Sequence, residues 1–350
     1  MASTFVELKA NIAQIIQDTG MAKYLTAELT QYMLMGLKIM SVYVPHVVPI
    51  SYNLETRTGT ATSTSSGNLV DATEAQFLST DVGKVVYNID DWTWALIKTY
   101  SSTSQVALSK DIFTSGEDYE IYNANCRSSK ELYIGDVIDY LDIRRVEFPI
   151  GSPRNFRIEE DILTLLYDGV LDDTKDVDAV DEVLIFFDKR QKVSQLTTLV
   201  GALTAAGAAA AATSIPIDGL LPATGVVEQD QELTIANTRG IYTVAAAVTL
   251  AAGAGTLSIY PCLENAVVND QVITLKQSTL NTMLENIFCE LVAGLAMVYK
   301  SPSELNSIAI GGDMYTTSLA RLGTNLYAGH ALIQLQRMAI KKIKTKYSRY

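Results

Sequence analysis

Two stretches of the chain carry the same β cadence, and a strand pattern repeated in fixed order is the signature of a repeated structural unit. Thr103 to Tyr122 reads TSQVALSKDIFTSGEDYEIY: apolar residues alternate, pause at Ser115-Gly116, and alternate again. Gly255 to Leu275, GTLSIYPCLENAVVNDQVITL, returns to that rhythm. The correspondence extends upstream in order. KVVYN answers to ELTIA, WALIKTY to IYTVAAAV, QVALS to TLSIY, and DYEIY to QVITL. Each is a short alternating run bounded by turn residues, as a half-buried strand requires. Residues 51–125 therefore read as a small antiparallel β module and 193–276 as its second copy. The run ALTAAGAAAAATSIPI within 196–215 has high helix propensity, but local propensity is a weak prior against fixed-order similarity. It reads as loop or strand end, with an Ala-rich helix as the alternative.

The flanks have a different period. Thr4 followed by Glu7 predicts a capping box, after which Leu8, Ile12, Ile15 and Ile16 share a helix face. Leu25, Leu29, Met33, Leu37 and Met40 predict a second helix, stopped by Pro45. From Ser278 a wide apolar stripe includes Leu284, Ile287, Leu291 and Leu295. A last helix is expected from about Thr317 to Ile343. Between the modules, 126–192 reads as a second β region with acidic loops; Arg127–Asp142 opens it as strand or helix. The expected class is α+β: a discontinuous helical platform built from the N-terminal helices (1–50) and the C-terminal helices and basic tail (277–350), with inserted antiparallel β modules. Short amphipathic helices at both ends need partners, and each other is the simplest choice.

The 350 residues, 48% hydrophobic, have room for two or three domains. A net charge of −12 argues against gripping nucleic acid by counterion release, though not against an acidic wall that DNA slides past. Val193–Ile217 and Gly240–Leu263 are uncharged but too rich in Ala, Gly and Thr to read as membrane spans. MASTFVELK does not read as a secretory signal. Three distant cysteines suggest reduced thiols and no disulfide framework.

Catalytic and metal-binding motifs are missing: no phosphate-binding loop, nucleophile elbow, HExxH or CxxC is present. The two histidines, His46 and His330, lie far apart in sequence, and His46 in YVPHVV reads as structural. The reading is non-enzymatic, with no cofactor and no metal. Carboxylates crowd Glu159–Asp188, but DDTKDVD lacks the turn glycine and closing glutamate of a calcium loop, so a solvated acidic loop is expected. Trp92 and Trp94 flank Thr93 in an expected strand and would share one face, as module core, subunit contact or aromatic platform. The basic tail carries Arg337, Lys341, Lys342, Lys344, Lys346 and Arg349 with no acid in the same stretch. One reading is complementation of a helix dipole; the other is an arm docking on an acidic partner or nucleic acid.

Taken together, DVGKVVYN…ALIKTYSSTSQVALSKDIFTSGEDYEIY and TSIPIDGL…QVITL resemble β modules of tailed-bacteriophage structural proteins. IRRVEFPIGSPRNFRIEEDILTLLYD…VLIFFDK, with LVAGLAMVY and a helical tail, is similar to phage head-to-tail connector (adaptor, neck-ring) proteins. The resemblance implies a virion protein assembled in the host cytoplasm: a homo-oligomeric ring, commonly of twelve, beneath the portal protein and joined to further neck or tail proteins. DNA would pass through without specific binding, and no membrane is involved. Arg337, Lys341, Lys342, Lys344, Lys346 and Arg349 would dock on the portal, and Leu284, Ile287, Leu291 and Leu295 would meet neighbouring subunits. Leu291→Asp is then expected to weaken assembly. Alternatives are another neck or tail component, including a glycan-binding or hydrolytic tail protein using Trp92, Trp94 and the acids near Glu159, and a nucleic-acid binder acting through the tail.

Overall fold

A sheet that is apolar on one face needs at least three strands, or a helix packed against it, to be stable. In the computed structural model, described over residues 3–347 apart from 138, 168–180, 197–200, 211, 239–240, 261, 264 and 306–321, the alternating runs meet that need among themselves. They form four sheets, and only 23% of the chain is helical. The chain is thus mostly β, which corrects the expected helical platform with small β inserts. Three of the four sheets have six strands, too large to be decorations on helices. The chain divides into two units, Val47–Asp188 and Met1–His46 with Lys189–Tyr350.

The Val47–Asp188 unit holds two six-stranded sheets. One uses β2 (Thr58–Thr60), β3 (Asn68–Val70), β4 (Val85–Asn88), β5 (Thr93–Ser102), β6 (Gln105–Leu108) and β7 (Asp118–Tyr122), in the order β2-β7-β4-β5-β6-β3. The other uses β1 (His46–Leu54), β8 (Glu131–Tyr133), β9 (Tyr140–Glu147), β10 (Pro153–Glu159), β11 (Ile162–Leu166) and β12 (Asp181–Lys189), in the order β1-β12-β9-β10-β11-β8. Residues 46–50, read as part of the helical end, and 51–54, read as the start of the first β module, are therefore one strand of the later sheet. Arg127–Asp142 supplies β8 and the start of β9 and holds no helix among its described residues.

The other unit holds β13 (Leu203–Thr204), β14 (Ser214–Asp218), β15 (Gly225–Val227), β16 (Glu232–Ile235), β17 (Tyr242–Val244), β18 (Val248–Leu250), β19 (Gly255–Tyr260) and β20 (Ile273–Leu275). Six of them form a sheet in the order β13-β14-β19-β17-β16-β20, and β15 pairs with β18. The run β14-β19-β17-β16-β20 has the same order as β3-β6-β5-β4-β7. The registers agree too. Ile121, Val86 and Ala95 lie side by side across β7, β4 and β5, and Leu275, Leu233 and Tyr242 do so across β20, β16 and β17. All six are buried. The described part of the Ala-rich run is strand and loop.

Helices α1 (Phe5–Ile15), α2 (Thr26–Tyr43), α3 (Thr282–Leu305) and α4 (Gly329–Tyr347) come from both ends of the chain and share one apolar core, which includes Leu8, Ile12, Met33, Phe288, Leu291 and Leu335. Thr4 and Glu7 close the capping box on α1. A Cβ on Gly36 would lie 2.6 Å from Val292 Cγ2, so glycine lets α2 approach α3 closely. A π-helical segment, Leu322–Ala328, leads into α4. Where the chain leaves and re-enters this unit, the two crossings are stitched together. Gln191 donates its backbone N–H to Ser41 Oγ at 2.9 Å and its side-chain amide to the Val44 carbonyl at 2.9 Å.

Candidate functional site

Among the described residues the most exposed large apolar side chain is Trp92, 80% accessible, at the turn between β4 and β5. Asn88 builds that turn. Its Oδ1 accepts from the backbone N–H groups of Asp90 and Asp91 at 3.0 and 3.2 Å. Its amide donates inward, to the Ile112 carbonyl at 2.7 Å and to Glu117 at 3.0 Å, so the residue that shapes the tip is itself fully buried. Asp90 adds a brace by accepting from the Asp118 N–H at 2.8 Å. The chain leaves the turn with Trp92 at φ 58°. A bulky side chain rarely adopts this left-handed conformation, whose strain is of order 1–3 kcal/mol. Trp92 and Trp94 are therefore not strand neighbours on one face, as the sequence suggested. Trp92 ends the turn, and Trp94, 51% accessible, lies on β5 beneath the Lys110 ammonium at 4.7 Å. Neither belongs to a core.

A groove of about 490 Å³ opens in the unit that holds the helices. Leu34, Met35, Leu37 and Val193 give it an apolar floor. Tyr32 and Tyr299, stacked at 5.9 Å, form one wall. Lys38 and Arg190 stand on its rim, exposed and without an ion-pair partner among the described residues. Its one acidic lining residue is Glu228. The groove was not legible in the sequence, because its wall and rim come from segments about 150 residues or more apart.

Several buried ionisable groups in both units are held in ion pairs. Arg57 bonds Asp81 at 2.6 Å and Glu55 at 2.8 Å, while Lys84 pairs with both acids. Burial opposes the charge on Arg57, but the hydrogen bonds of Glu55 and Asp81 outweigh it and hold the guanidinium above its ordinary value. Lys189 and Asp230, 2% and 5% exposed, pair at 2.6 Å. His46 Nε2 lies 3.0 Å from Glu232, and Lys276 pairs with the same carboxylate. Contact with His46 is the main cause holding the Glu232 carboxyl down to about 2, against the opposing effect of burial. His330 meets Glu290 at 2.7 Å. Among the described residues no cluster of three or more His, Cys, Asp or Glu has metal-binding geometry.

The other expected contacts fall unevenly. Leu284, Ile287 and Leu291 are covered by the chain's own helices, at 5%, 7% and 0% exposure, and Leu295 packs half-buried on the same core. This corrects their assignment to a subunit contact: α1 and α2 already occupy that face. Thr282–Lys300 is long and apolar enough to cross a membrane, and its apolar face is turned into this core. Arg337 is exposed on α4. Lys341, Lys342, Lys344 and Lys346 continue α4, with side chains outside the described residues, and Arg349 lies outside them altogether. Glu159 pairs with Arg157, both exposed, on β10, and the acidic DDTKDVD run falls outside the described residues. No protein-family model, curated protein or solved structure matches the chain.

Proposed function

We propose that this chain is a non-enzymatic structural subunit of a tailed-phage virion: a head-to-tail adaptor whose copies form a ring beneath the portal and let DNA pass. The observation that carries the reading is the braced aromatic tip. A tryptophan exposed to solvent on a turn whose backbone is fixed by a buried asparagine suits association, because exposed tryptophans are among the commonest energetic anchors of protein interfaces. The open groove with unpaired cations is a second surface of the same kind. The resemblance of the quoted segments to neck proteins supplies the setting, and the lysine-rich end of α4 in a chain of net charge −12 suits docking on an acidic portal surface. The exposure of Trp92 and Trp94 also favours a second reading, a glycan-binding tail component.

Solution mass and negative-stain imaging of the full chain, with and without a candidate portal, test both readings. A closed ring with a DNA-sized hole is expected. A strict monomer under both conditions overturns the adaptor reading. A trimer or fibre that binds glycan, and loses binding in Trp92→Ala, replaces it with the tail reading.

A further inference from the structure

We infer that the Trp92 tip of one copy docks in the Tyr32–Tyr299 groove of a second copy. The inference rests on the proposed ring-forming function and names the contact that would join neighbours. The two surfaces match in charge. The tip presents Asp90 and Asp91 beside Trp92, and the Asp91 carboxylate has no ion-pair partner among the described residues. The groove rim presents Lys38 and Arg190, which also have none. In a chain of net charge −12, unpaired cations at the edge of an apolar groove mark a place where an acidic segment is welcome.

The surfaces also match in shape and chemistry. A volume of about 490 Å³ lies within the range of pockets that enclose a ligand, and one indole with its flanking backbone suits it. Leu34, Met35 and Val193 offer the apolar floor that an indole needs, and the tyrosine pair offers an aromatic wall. Because Asn88 fixes the turn before binding, little backbone freedom is lost when Trp92 inserts. Tip and groove are different surfaces, so the contact is head-to-tail. Repeated from copy to copy, such a contact propagates into a ring or a filament; exchanged reciprocally between two copies, it closes as a two-fold dimer.

The test replaces Trp92 with p-benzoylphenylalanine in the full chain, mixes light- and heavy-nitrogen populations, and maps the photo-crosslinks. Crosslinks between light and heavy chains that join position 92 to the peptides carrying Tyr32, Met35 or Tyr299 are expected. Crosslinks elsewhere, or only within one chain, overturn the inference. In parallel, Asp91→Lys alone and Lys38→Glu with Arg190→Glu should each weaken self-association about tenfold or more, and the three changes together should recover it. Every changed residue is exposed, and circular dichroism checks that each variant folds. Groove variants that lose portal binding but still self-associate would assign the groove to the portal and overturn the inference. The two proposals fail separately. Rings whose crosslinks map elsewhere spare the adaptor reading; correct crosslinks in a chain that never forms rings spare the docking contact.

Discussion

Glu232 shows how a single residue sets a pH limit on the fold. Its carboxyl, ordinarily near 4.5, is held down to about 2, chiefly by His46 and also by Lys276. A depressed carboxyl adds stability that is present above its unfolded value and lost as pH falls through its folded value. The contribution of Glu232 is therefore complete above about 4.5 and disappears towards about 2. Glu232→Gln should be less stable than the parent at pH 7, by about 1–3 kcal/mol. The gap should narrow between pH 4.5 and 2; parallel denaturant curves over that window would contradict the assignment. His46 was legible as a structural histidine, but its partner was not, since it lies 186 positions away and no local pattern links them. Trp92 was misread for a different reason. The sequence places it two residues from Trp94, as alternation in a strand requires, and only the Asn88 side chain reveals that the turn extends through it.

Among the elements, α3 repays closest attention. Its apolar stripe was read as partly open to neighbouring subunits, whereas α1, α2 and α4 cover it within the chain. Leu291→Asp should therefore strike the fold before any assembly. Burying an unpaired carboxylate there should cost at least about 3 kcal/mol. The measurement is thermal unfolding of the unassembled chain: a normal transition with lost association would restore the stripe to an interface. The helical stripe and the twofold strand cadence were both legible, because each face follows a period of 3.6 or 2 residues. What covers each face was not. Strand β1 lies beside β12 although more than a hundred residues separate them, and periodicity carries no information about such partners. The same limit explains the overvalued helices. Long apolar stripes such as that of α3 stand out, while strands of three to five residues, such as β16, β17 and β20, attract notice only through their repetition.

For the whole molecule, the arrangement is one of insertion. The Val47–Asp188 unit has two six-stranded sheets and buried residues of its own, including Phe77, Val86, Tyr119 and Ile121 around one of them. Residues 47–188 expressed alone should fold cooperatively, with a single thermal transition and a near-ultraviolet signal from its packed tyrosines. A non-cooperative melt would show that the unit depends on the rest of the chain. The two places where the backbone leaves and re-enters the helical unit are held side by side by Gln191, Ser41 and Val44. In mechanical terms, that stitch is a short circuit. A pull applied between α1 and α4 would run through the helical core and across a few hydrogen bonds, leaving the inserted sheets slack. Tension along the helices would then pass by the Val47–Asp188 insertion without stretching its strands.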